Sequence, residues 1–334
     1  MDAGITLWAG LIIFVIISLA VDMLLFEKRD EIASMRRSVI FSIAWIAVAL
    51  LFGVGLFVAG ESDAGAEFLT GYVLERSLSL DNVFVFALIF GAMAVPTVVR
   101  STVLLWGIVG ALVLRAIFIV AGAALVESFH WVLYVFGAIL LFTGVRMALT
   151  EEQEEVDPDK IPGTKLVRRL FPVTNGYRED RLFVHEGGRR VATPLLVVVV
   201  AVAAADVIFA VDSIPAIFGI TTDTFIVFAA NAFALLGLRA LYRLLDGAQA
   251  KFHLLRYGLA FLLVFIGFKM LIEDLWHIPI GLSLGVIIAT LVIATLASLL
   301  RPPHDGDPPG GGPGTGPLPT PGPPQVPLSA GGGQ

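Results

Sequence analysis

Two matched pairs of acidic residues lie inside otherwise apolar stretches of the chain: Glu75-Arg-Ser-Leu-Ser-Leu-Asp81-Asn82 and Asp206-Val-Ile-Phe-Ala-Val-Asp212-Ser213. An ionisable side chain at the centre of a membrane helix costs ~2.5–3.5 kcal/mol on insertion scales, so four of them carry a penalty on the order of 10 kcal/mol. Such residues are expected to serve function unless a cation neutralises them structurally, and Arg76, Arg115 and Arg239 are available for that. Carboxylates supplemented by neutral oxygens suit Mg²⁺, Ca²⁺ and Mn²⁺. Asn82 and Ser213 each adjoin an aspartate and add such oxygens, so the expected cation site is Glu75, Asp81, Asn82, Asp206, Asp212 and Ser213. Ser77 and Ser79 are weaker candidates, because serine in membrane helices more often bonds its own backbone or a neighbouring helix.

Spacing limits how these acids cooperate. Residues six apart on a regular helix are separated by ~9 Å along the axis and ~240° around it, so two of one pair cannot share an ion unless the helix is broken. Pro215 offers a break, since a proline deprives the carbonyl four residues back, that of Val211, of its amide partner. Asp81 and Asp212 are therefore expected to meet, with Glu75 and Asp206 helping or flanking the path. Asp22, near one end of the first apolar run, is either solvated by headgroups or part of the path, and Asn231 is either a ligand or glue between helices. Arg146, Arg243 and Lys269 are expected to snorkel from helix ends. The five histidines read as surface residues, and the absence of cysteine leaves only oxygen and imidazole as metal donors.

The elements that must hold these residues are membrane helices. Of 334 residues, 57% are hydrophobic and 15% charged, with a mean hydropathy of +0.89. Runs of ~20 apolar residues recur at roughly 5–26, 38–59, 69–94, 98–122, 130–149, 193–219, 224–245, 254–273 and 279–300, which predicts an all-α polytopic membrane protein of about nine spans. Basic residues collect in alternate loops (Lys28, Arg29, Arg36, Arg37; Arg100; Lys160 to Arg190; Lys251; Arg301), so the N-terminus is expected outside and the C-terminus in the cytoplasm. Trp8, Trp131 and Trp276 fall at outer helix ends, where aromatic rings anchor. The first run lacks the flanks of a signal peptide and is read as a retained helix. Segment 150–192 is expected as a cytoplasmic loop, and the Pro/Gly-rich 302–334 as a disordered tail. A net charge of −6 gives no footprint for nucleic acid.

The acidic motifs belong to an internal repeat. Leu114-Arg115-Ala116 matches Leu238-Arg239-Ala240, and Phe142-Thr-Gly144-Val-Arg146-Met147 matches Phe265-Ile-Gly267-Phe-Lys269-Met270. Three landmarks in one order define units 68–149 and 193–273, preceded by two helices in 1–67 and followed by the ninth in 274–301. Alternation reverses the second unit relative to the first, and inverted repeats typify secondary transporters with a midplane site at the repeat interface.

From about residue 5 to 300 the chain resembles the TerC/Alx family of bacterial membrane proteins, nearest its Alx branch, on the two acidic motifs and on Phe142–Met147 and Phe265–Met270. The resemblance implies a place in the LysE-type transporter superfamily, the bacterial inner membrane, Mn²⁺ efflux, and Glu75, Asp81, Asp206 and Asp212 as the functional acids. One position departs: where a glutamate commonly precedes the sixth-helix aspartate by three, this chain has Ala203, which removes one ligand. The expectation is a secondary transporter exporting Mn²⁺ or another hard divalent cation by alternating access, with proton exchange as its natural companion. It is expected to be no enzyme, to hold no resident cofactor, and to have the metal ion and the bilayer as partners. The alternative is a membrane metal-sensing or metal-loading interaction protein. An intramembrane protease built on Asp81 and Asp212 lacks the Gly-x-Gly-Asp motif such enzymes carry.

Overall fold

The computed structural model describes residues 4–26, 35–150, 163–178, 180–186, 188–245 and 254–300. The expected disordered tail, 302–334, lies outside them. The described residues form α1 (Ile5–Phe26), α2 (Met35–Val58), α3 (Ser62–Ala92), α4 (Thr97–Ser128), α5 (Val132–Leu149), α6 (Thr164–Leu170), β1 (Phe183–Glu186), β2 (Arg189–Ala192), α7 (Pro194–Phe218), α8 (Thr224–Leu235), α9 (Leu238–Leu245), α10 (Leu255–Ile272) and α11 (Ile280–Leu300).

Seven of these, α1, α2, α4, α5, α7, α10 and α11, are long and apolar enough to cross a membrane, and the pair α8 and α9 makes an eighth if it is one span. The helix α3 has the length, and its Asp63, Glu67, Glu75, Arg76 and Asp81 set it apart from those seven. Helices dominate because in hydrocarbon every backbone amide and carbonyl must be paired within the segment. Ile16 and Ile17 of α1, Leu51 of α2 and Ile293 of α11 are more than half exposed, as lipid-facing side chains are. By contrast α8 is buried on nearly every side, from Phe225 to Leu235, which is the pattern of a helix at the centre of a bundle.

The helices α5 and α10 approach backbone to backbone. A Cβ added to Gly137 would lie 2.9 Å from the Gly267 carbonyl oxygen, one on Gly267 2.7 Å from the Gly137 oxygen, and one on Gly144 2.8 Å from the Ala260 oxygen. Rising numbers on one helix meet falling numbers on the other, so the pair is antiparallel. Small residues permit this approach, and in lipid such packing is a main source of helix association.

The expected break at Pro215 is absent: α7 runs unbroken through it. The proline still leaves the Val211 carbonyl without its helical amide, but Val211 turns its side chain to the surface at 53% exposure. The bundle's break lies instead between α8 and α9, bent by 44° at Leu236 and Gly237. Gly237 has φ +77, and a Cβ there would meet Trp45 at 2.6 Å, so both conformation and space select glycine. The far end of α8 is capped by Asp223, which accepts from the amides of Phe225 and Ile226.

Within the segment expected as a loop, α6 and the antiparallel hairpin β1–β2 fold against the bundle. Val167, Ala192 and Val197 form a small apolar cluster there. The Tyr177 hydroxyl donates to the Met93 carbonyl at 2.8 Å, and burial pushes its phenol up to about 12, which keeps it a donor.

Candidate functional site

The site is centred on Arg115 of α4, which is 1% exposed and reaches the junction of α3, α7 and α8. Its guanidinium embraces Asp206 of α7 from two nitrogens, Nη2 to Oδ1 at 3.1 Å and Nε to Oδ2 at 3.2 Å. Its Nη1 pairs closely with Glu75 Oε1 of α3 and donates to Asn231 Oδ1 of α8 at 2.7 Å and to Ser213 Oγ at 3.3 Å. Asn82 Nδ2 stands 3.5 Å from Asp206 Oδ1, and Asn231 is held in turn by its own amide donating to the Val227 carbonyl at 2.9 Å. Four helices thus converge on one guanidinium. Bidentate, charge-assisted geometry is strong, and a charge buried this deeply persists only when paired. Glu75 Oε2, like Asp22 Oδ1 and Ser79 Oγ, is buried without a hydrogen-bond partner among the described residues.

Glu75, Asp206, Asn82 and Ser213 are therefore brought together as expected, and Asn231 joins them. Asp212 sits apart, accepting from Thr143 Oγ1 of α5 at 2.9 Å. It lines a cavity of about 290 Å³ with Asn82, Thr143, Arg146, Met147, Thr150 and Ser213, among others. Because Asn82 and Ser213 belong to both, the cavity adjoins the Arg115 network. Asp81 lies in α3, and its side chain is outside the described residues. Among the described residues no three His, Asp or Glu side chains converge as a preformed metal cage. In the sequence Arg115 is one of three available neutralisers; the structure makes it the hub for Glu75 and Asp206.

The other two arginines have different duties. Arg76 Nη1 donates to the carbonyls of Ala234 at 2.8 Å and Leu236 at 3.2 Å, capping the interrupted end of α8, where helix carbonyls lack amides and the dipole favours a cation. Arg239 pairs with Asp22 at 3.0 Å and touches Ser101. Asp22 is thus not solvated by headgroups but buried, at 4% exposure. Lys269 likewise does not snorkel: it is 5% exposed and donates to the Gly219 carbonyl at 3.2 Å. Ser77 bonds its own helix at the Val73 carbonyl, 2.6 Å away.

A second, larger cavity of about 1060 Å³ is lined by Asp63, Glu67, His130, Asp223, Glu273 and His277, among others. It lies at the Leu133 end of α5, whereas the Asp212 cavity reaches Met147 and Thr150 at the other end. Along α3 the order is Asp63 and Glu67 in the large cavity, Glu75 on Arg115, then Leu78 and Asn82 in the small one. Along α3 the buried network falls between the two cavities, of which the small one shares Asn82 and Ser213 with it. Sequence reasoning missed the large cavity because its acids lie at helix ends, where they read as ordinary surface charge.

A multi-pass helical bundle with a buried ionic centre defines an integral membrane protein whose site lies within the bundle. The profile of the integral membrane protein TerC family matches residues 60–305, and the chain belongs to that family. It is 47% identical over 296 residues to the Escherichia coli (strain K12) protein Alx, which carries the provisional name of a membrane-bound redox modulator, covering 86% of this chain and 92% of that one. An uncharacterized membrane protein of Myxococcus xanthus is 44% identical over 298 residues, covering 89% and 93%. Another, of Mycobacterium bovis, is 38% identical over 303 residues, covering 90% and 76%. No solved structure matches the chain.

Proposed function

We propose that this TerC family protein is a secondary transporter that exports a hard divalent cation, Mn²⁺ first among them, across the bacterial inner membrane by alternating access. The observation that carries the reading is the buried carboxylate network of Glu75 and Asp206 between two cavities at opposite ends of α5. A carrier needs such a barrier, with a route to it from either side. Asp212, in the small cavity beside the network, is the acid a cation arriving from the Thr150 end would meet. Positive-inside alternation makes that end cytoplasmic, with the N-terminus outside, the C-terminus inside and nine spans, α3 and the bent pair α8 and α9 included.

The inverted repeat supports the same reading. Aligning Gly144 with Gly267, as the matched motifs do, also aligns Gly137 with Ala260. The two close contacts, Gly137 with Gly267 and Gly144 with Ala260, exchange with each other under that alignment. Reciprocal contact between antiparallel helices is what a two-fold axis in the membrane plane requires, and rocking of one repeat against the other around a central site is how inverted-repeat carriers alternate. Binding of a cation to carboxylates releases protons, so proton exchange accompanies transport. A redox role would find no thiol in this chain, which has no cysteine.

The test in cells is metal content. Bacteria overproducing the protein under Mn²⁺ load should hold less manganese, by mass spectrometry of washed cells, than bacteria overproducing Asp212→Asn at equal membrane abundance. Equal manganese in the two would remove the transport reading and favour a metal-sensing or metal-loading role exerted through α6 and the hairpin.

A further inference from the structure

The carboxylates offered to a divalent cation are already held by a cation of the protein's own. Resting on the transport reading above, we propose that Arg115 is a tethered counter-cation: its guanidinium occupies Glu75 and Asp206 when no metal is bound, is displaced by the transported ion, and returns to let the empty carrier reset.

Arg115 binds Asp206 through two nitrogens at 3.1 and 3.2 Å and pairs closely with Glu75. Carboxylate oxygens coordinate hard divalent cations at about 2.0–2.6 Å, so a metal on Glu75 and Asp206 would lie within a few ångströms of the guanidinium, where like charges at low dielectric repel strongly. The two cations therefore exclude each other. Arginine also cannot escape by losing a proton, since it stays charged in proteins. It must withdraw from the carboxylates, giving up with them the bonds that the same Nη1 makes to Asn231 at 2.7 Å and Ser213 at 3.3 Å.

Among the described residues Glu75 Oε2 has no hydrogen-bond partner although Glu75 is 0% exposed, a feature it shares with Asp22 Oδ1 of the Arg239 pair. A buried carboxylate oxygen of this kind is able to accept a cation or a proton. Charge arithmetic gives the same result. Two carboxylates balance one divalent cation, whereas Arg115 supplies a single positive charge, so exchange of metal for guanidinium leaves room for one proton at that oxygen. Without Arg115 the metal-free site would hold two bare carboxylates at the membrane centre, a state that resists reorientation.

The experiment uses the full-length protein in proteoliposomes, with Mn²⁺ as probe, measuring net efflux into metal-free buffer and one-for-one exchange of labelled Mn²⁺. Exchange never requires the empty carrier to reorient; net efflux does. In Arg115→Gln the ratio of net efflux to exchange should fall at least tenfold, and Mn²⁺ binding to the detergent-purified variant should tighten at least tenfold. Arg115→Lys, which keeps a cation that spans the two carboxylates poorly, should give an intermediate ratio, and carries the test if Arg115→Gln does not fold. A ratio equal to wild type in Arg115→Lys and Arg115→Gln, or an equal loss of net efflux and exchange in folded protein, overturns the proposal in favour of a structural pair. Absence of both fluxes from the wild type defeats the transport reading instead, and unaltered Mn²⁺ affinity in the variants would then defeat the counter-cation as well.

Discussion

Asp206 and Asp212 lie on one helix, six residues apart, and answer to different neighbours. Asp206 is locked to a buried guanidinium, while the bond seen at Asp212 comes from the Thr143 hydroxyl. Substitution should separate the two. Asp206→Ala strips a bidentate partner from a fully buried charge, and breaking a buried pair costs about 3–5 kcal/mol, so its unfolding midpoint in detergent should drop sharply. Asp212→Asn preserves the shape and the hydroxyl bond, so its midpoint should stay near that of the wild type. Equal losses would mean that both acids are structural. Ala203, one turn before Asp206 on α7, stands opposite Gly110 of α4, where a Cβ on that glycine would lie 3.7 Å away. Ala203→Glu should raise Mn²⁺ affinity by adding a carboxylate beside the site; titration of the purified variant checks this, and unchanged affinity would count against a cation near Asp206. The types and pairing of these acids are readable from the motifs alone. The partner of each is not, because six-residue spacing places two carboxylates on different faces without saying which helix each face meets. The matched Leu-Arg-Ala triplets carry part of the signal: Arg115 and Arg239 read as available neutralisers, but which carboxylate each one takes depends on tertiary contacts.

At the scale of the elements, the α5–α10 contact and the α8–α9 break carry the architecture. Gly267→Leu would drive a side chain into the Gly137 carbonyl, 2.7 Å from where its Cβ must stand. Overpacking in well-packed interiors costs about 1–3 kcal/mol, so this variant should lower the thermal midpoint, whereas Gly285→Leu, whose Cβ would meet nothing within 4 Å, should not. Identical midpoints would refute the close approach. Arg76→Met should destabilise by leaving the carbonyls of Ala234 and Leu236 without their donor, since an unpaired buried polar group costs about 1–3 kcal/mol. Helix positions follow from apolar runs, which register almost wholly along the chain. The break does not: Pro215 is the obvious helix breaker, yet α7 is packed on many sides and runs through it, and the interruption falls at Gly237, whose positive φ and proximity to Trp45 depend on tertiary contacts. The hairpin β1–β2 is likewise hidden in a segment of mixed charge, where polar composition conceals the few apolar residues, Val167 and Ala192, that dock it.

For the whole molecule, a carrier requires two faces with a barrier between them. The chain has no cysteine, so single cysteines report sidedness cleanly. His277, at the large cavity, and Thr150, at the small one, are both at exposed positions. A membrane-impermeant thiol reagent applied to intact cells from which the outer membrane barrier has been removed should label His277→Cys and spare Thr150→Cys until the inner membrane is opened; the reverse pattern would invert the topology. The most direct test of the central claim is Mn²⁺ flux in proteoliposomes holding the purified wild-type protein or Asp212→Asn, with Ca²⁺ and Mg²⁺ as competitors. Saturable flux in the wild type that falls to the level of empty liposomes in the variant is the predicted result; flux that is equal in the two, or absent from both, contradicts a carboxylate-dependent cation transporter.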